Sequence, residues 1–255
     1  MKQQKWMIGL SAAVAALLAL PAAAEGVMDK VEVYGKAGLS GLGVGAGYGI
    51  SEKLTVRSDV STLGFNRSFD EDDVHYKAKL KNHKINIYGD YFPANNGFRL
   101  TAGLGLGKTE LSATGHARNM TKQTFEIGDK KYDVTLDGND TVKASVKYPT
   151  VSPYFGIGWG HNIGQKKTGW GFNADLGLSV GSPKTKLSVN SSLNEKLVKA
   201  QAELSGAGVT LTDEQKAAAQ AEIDSRIAAE QKKIKDRIGK YKVIPMISVG
   251  VSYRF

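Results

Sequence analysis

The chain has 255 residues, 30 of them glycine and none cysteine, and 34 Lys and Arg stand against 25 Asp and Glu for a formal charge of +9. This excludes a disulfide framework, a thiolate metal site and a cysteine nucleophile. The chain is too polar for a bundle of membrane helices, each of which needs about 20 apolar residues in a row.

Residues 1–24, MKQQKWMIGLSAAVAALLALPAAA, read as a secretory leader. Lys2 and Lys5 make the basic start, Met7 to Leu20 the apolar stretch, and Ala22-Ala23-Ala24 the small residues of a cleavage site. Residues 25–255 then form the mature protein. From Val31 to Ala37 a first strand is expected, turning near Leu39-Ser40-Gly41. The next runs in strict alternation: Leu42, Val44, Ala46, Tyr48 and Ile50 on one face, five glycines on the other. A period of two is the mark of a strand with one apolar face.

Leu54 to Phe65 places Leu54, Val56 and Val60 against Arg57 and Asp59. Asn66 to His75 reads as a long loop carrying an acidic cluster, Asp70-Glu71-Asp72-Asp73 with His75, taken as a solvated surface. Tyr76 to Phe92 switches parity near Asn82, which predicts a bulge there. Phe98, Leu100, Ala102, Leu104 and Leu106 define the fifth strand. Glu110 to Lys147 is a long loop holding a hairpin around Thr124 to Val134, read as extending the barrel wall outward.

Val151 to Trp159 and Trp170 to Val180 alternate again, as does Val243 to Phe255, for eight strands in all. Between the last two, about 190–240, two capping boxes (Ser192 with Glu195, Thr212 with Gln215) and an Ile223, Ile227, Ile234, Ile238 stripe predict two helices, with Gly239 as a C-cap.

The expected fold class is all-β: an eight-stranded antiparallel transmembrane β-barrel with a helical insert in its last outer loop. Apart from the tight first turn, connections alternate short and long, the outer-membrane pattern. Tyr48, Tyr91, Phe98, Trp159 and Trp170 gather beside the short turns as an interfacial girdle, and Phe65, Tyr76 and Tyr148 suggest a second at the other end. A soluble sandwich has no reason to sort its aromatics by depth. Localisation follows: the outer membrane of a Gram-negative bacterium, reached through the periplasm, with outer-membrane lipid and lipopolysaccharide as surroundings.

The ending Val249-Gly250-Val251-Ser252-Tyr253-Arg254-Phe255 resembles the C-terminal signature of outer-membrane barrels, in which Tyr253 and Phe255 would be read by the barrel-assembly machinery. Ser152-Pro153-Tyr154-Phe155-Gly156-Ile157-Gly158-Trp159, Trp170-Gly171-Phe172, Gly181-Ser182-Pro183-Lys184 and Tyr241-Lys242-Val243-Ile244-Pro245, together with Gly35 to Gly49, resemble the family of the carbapenem-associated outer-membrane protein CarO. That resemblance implies an eight-stranded barrel associated with uptake of small, often basic, amino acids.

By parity the inward polar set is Glu32, Arg57, Asp59, Lys84, Asp90, Arg99, Tyr154, Asn173, Asp175 and Arg254. Register counting brings Arg57 and Arg99 to Asp90, Tyr154 to Asp175, and Glu32 to Arg254 at the closing seam. Such a set either plugs the bore as a charge network or forms a narrow charged constriction. Two functions follow: a narrow channel for small polar solutes such as basic amino acids, or a non-conducting structural or surface-interaction barrel. Ala102 to Thr109 mimics a phosphate-binding loop but lacks the following helix, and the four histidines have no ligand spacing. No cofactor, no metal site, no enzyme activity and no nucleic-acid partner are expected.

Overall fold

The computed structural model describes residues 28–71, 74–94, 96–117, 120–127, 129–165, 168–206, 211–239 and 242–255; the leader, Asp72, Asp73 and Tyr241 lie outside them. Among these residues the strands are β1 (Val31–Gly38), β2 (Gly41–Ser51), β3 (Leu54–Glu71), β4 (Val74–Tyr91), β5 (Phe98–Ala117), β6 (Thr121–Ile127), β7 (Lys130–Leu136), β8 (Thr141–Lys147), β9 (Val151–Trp159), β10 (Gly169–Val180), β11 (Lys184–Val189) and β12 (Val243–Arg254). Two helices, α1 (Ser191–Leu204) and α2 (Asp213–Ile238), stand between β11 and β12.

Eight strands close a ring in the order β1-β2-β3-β4-β5-β9-β10-β12. The seam is β1 on β12, running from Glu32 opposite Arg254 to Gly38 opposite Ser248. Closure pairs the ladder on both sides of every strand, the condition for a sheet surrounded by hydrocarbon. The polarity is inverted relative to a water-soluble fold. Leu42, Ile87, Phe155, Phe172, Leu176 and Val251 are exposed on the outside, whereas Arg57, Asp90, Arg99 and Asn173 are buried inside. From Trp170 to Val180 the outward face of β10 is apolar. Those ten residue steps, at about 3.3 Å each and a tilt of about 40°, span about 25 Å, the height of a lipid-facing belt.

The start of β1, the end of β12 and the facing ends of β2 and β3, β4 and β5, and β9 and β10 lie at one end of the ring. Tyr48, Tyr91, Trp159 and Trp170 are exposed there, with Phe98 partly so. Trp170 meets Tyr253 edge-on at 5.4 Å, and Tyr253 meets Phe255 likewise. The second girdle is not formed: Phe65 and Tyr76 share the inward face of β3 and β4, and Tyr76 stacks on Phe69 at 5.2 Å.

At the far end the wall is taller than expected. Asn66 to His75 is not a loop, because β3 and β4 continue to Glu71 and Val74. Their register is unbroken from Leu54 opposite Tyr91 to Glu71 opposite Val74, so the bulge near Asn82 does not exist. The parity switch has another cause. Even-numbered residues of β4 face inward throughout; below Asn82 they meet a polar bore, and above it Val74 and Tyr76 meet apolar Ala113, Val142 and Leu193.

β5 changes partner along its length within one sheet. Its lower half, Phe98 to Leu106, pairs with β9, and its upper half, Glu110 to His116, pairs with β8, which in turn carries β11. Gly107 sits at the fork with φ +145, donating its N–H to Thr150, and an added Cβ would lie 2.1 Å from the His83 carbonyl oxygen. The wall is therefore extended by β8 and β11. The β6–β7 hairpin, expected to do so, forms a separate two-stranded sheet.

That hairpin and the helices make a cap with an ordinary hydrophobic core, in which Tyr132, Val134, Leu193, Leu197 and Ile223 are buried together. Tyr132 donates its hydroxyl to Gln201 at 2.8 Å. The capping box of α2 is present as read, with Gln215 N–H donating to Thr212. The start of α1 differs: Asn190 caps it, accepting from the Leu193 N–H, while the Ser192 hydroxyl donates to Asp140. The chain leaves β11 one residue before Asn190, and Asn serves as well as Ser at a cap.

Lys196 of α1 bridges Asp137 and Asp140 in the turn between β7 and β8. Burial pushes the Asp140 carboxyl up, but hydrogen bonds from Lys196, the Asp137 N–H and Ser192 outweigh it, and the net direction is down. A depressed carboxylate stabilises the fold above its unfolded value, and the gain is lost as pH falls through the folded one. The docking of α1 is expected to hold from neutral pH to about pH 4 and to loosen below it. Hydrogen exchange of the α1 amides across that range checks this, and Asp140→Asn should abolish the step.

Candidate functional site: the filled bore

The inward side chains stack in layers, each set by strand parity. At the terminal end, Glu32 of β1 accepts from Arg254 of β12 at 3.0 Å and also contacts His161. The β9–β10 turn folds back into this end. His161 and Ile163 are buried, the Thr55 hydroxyl donates to the His161 carbonyl, and Gln165 donates to the Glu52 carbonyl at 2.6 Å. Ile163 lies where a Cβ on Gly47 would be, 3.0 Å away.

One layer deeper, Arg57 and Arg99 share two carboxylates. Arg57 holds Asp90 through Nε and Nη2 and reaches Asp175 at 3.0 Å. Arg99 donates to Asp90 at 3.2 Å and to Asp175 at 2.6 Å. Thr101 adds a hydroxyl to Asp90 at 2.6 Å. Four strands, β3, β4, β5 and β10, are thereby joined across the bore.

Above that, Asp59 accepts from Lys36 at 2.5 Å, Tyr34 at 3.0 Å and Asn86 at 2.7 Å. The Arg57 guanidinium lies over the Tyr88 ring at 4.7 Å, and Tyr154 meets Tyr88 edge-on at 5.1 Å. Lys84 and Asn82 follow, both buried; among the described residues Lys84 has no carboxylate within ion-pair distance.

The inward glycines are the seats of these side chains. Tyr34 stands opposite Gly45, Tyr88 opposite Gly103 and Arg99 opposite Gly158. A Cβ on each glycine would come 2.6 Å from the Tyr34 ring, 2.7 Å from the Tyr88 ring and 2.6 Å from the Arg99 guanidinium. Large against small across neighbouring strands fills an eight-stranded interior.

The structure thus joins Arg57 and Arg99 to Asp90, and Glu32 to Arg254. Tyr154 lies near enough to Asp175 to interact with it electrostatically but not to hydrogen-bond, and its ring rests against Gly156 and Gly177. Asn173 lies against Gly250. Sequence reasoning missed Tyr34, Lys36, Tyr88 and His161. The first two share parity with Glu32 and the third with Lys84 and Asp90, so their alternation was readable. His161 sits in a turn at φ 59 and belongs to no periodic pattern. His75 and His83 do not converge on one site: the first pairs with Asp70 and the second contacts Thr62.

No protein-family model and no curated protein sequence matches this chain. Its fold is similar to that of two solved structures from Acinetobacter baumannii. CarO aligns with TM-score 0.50 and 17% identity over 88% of this chain and 97% of that one. CarO2 aligns with TM-score 0.53 and 16% identity over 88% and 98%. At such identity the likeness speaks for the fold, the same antiparallel barrel that the sequence resemblance implied.

Asp90→Ala strands two buried guanidiniums on one remaining carboxylate and is expected to cost about 3–5 kcal/mol. Urea unfolding of the reconstituted barrel, followed by tryptophan fluorescence, measures it; a loss below about 1 kcal/mol would mean the network is already hydrated. Gly45→Val collides with the Ser58 carbonyl oxygen and the Asp59 Cβ as well as the Tyr34 ring and should cost about 1–3 kcal/mol on the same assay, with only partial relief in the Gly45→Val/Tyr34→Ala double variant.

Proposed function

We propose that the chain is an outer-membrane barrel whose bore is closed at rest and whose work is done at its outer end, by the extended wall and the cap. The observation that carries this reading is the burial of Arg57, Asp90 and Arg99, with the Asp175 side chain only 9% exposed, each in contact with the next from β3 to β10. Water-sized space beside these groups would have left them exposed. The apolar belt and single aromatic girdle support the membrane setting, and the leader read from the sequence supports export.

A second reading is favoured by one feature. The terminal end of the bore is floored by a turn, not by strand, and the acids Asp59, Asp90 and Asp175 are stacked behind it. A withdrawn turn would present those acids to a cationic solute, as a narrow path for basic amino acids requires.

Planar-bilayer recording and liposome uptake separate the two. The parent barrel is expected to give no stable conductance and to admit labelled arginine no faster than empty liposomes. The Asp90→Ala/Arg99→Ala variant, which removes an anion and a cation together, should give resolved current steps. Steady conductance or arginine entry through the parent would overturn the closed-bore reading in favour of the path.

A further inference from the structure

The outward face of the extended wall changes character directly above the lipid belt. Ile85 and Leu106, opposite each other on β4 and β5, are the last aliphatic pair, and His83 opposite Lys108 is the next. Beyond them the paired residues form rows across four strands. One row reads Lys81, Glu110, Lys147, Lys184. The next reads Lys79, Ser112, Ser145, Lys186, and the third Lys77, Thr114, Lys143, Ser188. Residues directly opposite in a sheet share a face, and the rows lie about 7 Å apart with about 4.8 Å between strands.

Glu110 is the one acid in these three rows, and it reaches Lys147 at 3.5 Å. Among the described residues no other lysine of the rows is in an ion pair. Lys147 and Lys184 stand directly opposite each other, an arrangement that destabilises a ladder unless an anion lies between. β11 is the edge of the sheet, and lysines there deter pairing with another chain. Edge protection accounts for Lys184 and Lys186 alone; Lys77, Lys79, Lys81 and Lys108 are on interior strands. Interleaved Ser112 and Thr114, both partly exposed, supply hydroxyl donors.

We infer that this face binds the phosphorylated headgroup of a glycolipid in the outer leaflet, whose acyl chains lie along the belt below. The inference rests on the outer-membrane reading. The depth favours a lipid over a dissolved anion: the first lysines stand about one to two residue pairs, about 7–14 Å, from the last aliphatic side chains, where headgroups lie. Lysine meets phosphate as a point charge, and unpaired ammonium groups on a rigid sheet need no rearrangement to do so.

The test uses the whole mature barrel in detergent micelles, with native mass spectrometry counting bound lipid. Diphosphoryl lipid A is expected to bind about tenfold tighter than monophosphoryl lipid A, and raised salt should narrow the gap. Lys81→Gln/Lys108→Gln/Lys147→Gln/Lys184→Gln should lose about tenfold in diphosphoryl lipid A affinity, whereas Lys232→Gln/Lys233→Gln/Lys235→Gln on α2 should not. Equal binding of the two lipids, an equal loss in the α2 set, or full displacement by inorganic phosphate would overturn it. Heat-modifiable gel migration of the same samples reports the barrel. A folded barrel without lipid preference sinks this inference alone, and a mature chain that stays monomeric in detergent-free buffer sinks the membrane reading beneath it.

Discussion

The bore of this eight-stranded ring is filled by its own side chains, so the charges it encloses must solvate one another. The Arg57–Asp90–Arg99–Asp175 square is how this chain meets that constraint. Two guanidiniums on two carboxylates neutralise one layer, and Lys36 with Asp59 and Arg254 with Glu32 neutralise the layers on either side. Each member is useful only while the others are present, since a buried ion without its partner is strongly unfavourable. The glycine faces follow from the same need: long side chains can lie across the bore because the opposite position has no side chain.

The molecule has two interiors built on opposite rules. Inside the belt, polar groups are buried and apolar groups face outward. In the cap, Tyr132, Leu193, Leu197 and Ile223 are buried as in any water-soluble domain. The wall passes from one regime to the other without a break in register. Phe65, Phe69 and Tyr76 thus lie on the same face as Asp59 and Asn86, with Arg57 below them, and one strand serves a charged bore along one part of its length and an apolar surface along the next.

How much was legible depended on whether a residue's environment stays constant along its element. The eight barrel strands keep one medium outside and one inside, so alternation from Leu42, Phe98, Trp170 or Val243 reads directly as strand. The register partners Arg57, Asp90 and Arg99 followed from counting. The extension was illegible for a physical reason: when the inner medium turns apolar and the outer one aqueous, hydrophobic parity reverses although the strand does not, and the reversal at Asn82 looks like an inserted residue. β8 and β11 are short and flanked by lysines, which reads as loop. His161 enters the bore from a turn, where no periodicity exists to betray it. Asn190 was passed over because Ser192 and Glu195 imitate a cap two residues downstream.

The seam has a kinetic meaning. Glu32 and Arg254 meet across 222 residues of chain, at the junction of the ring's first and last strands. Hairpins such as β3–β4 zip locally, but this junction cannot form until every intervening strand is in place, so it belongs to the latest stage of assembly. Until then β1 and β12 are two open edges, each able to pair out of step. A carboxylate on the first strand and a guanidinium on the last, matched at a single setting, give the closing cylinder a latch that accepts one alignment and penalises a slip by even one residue, which would set Glu32 opposite outward-facing Tyr253 or Phe255 and part the two charges.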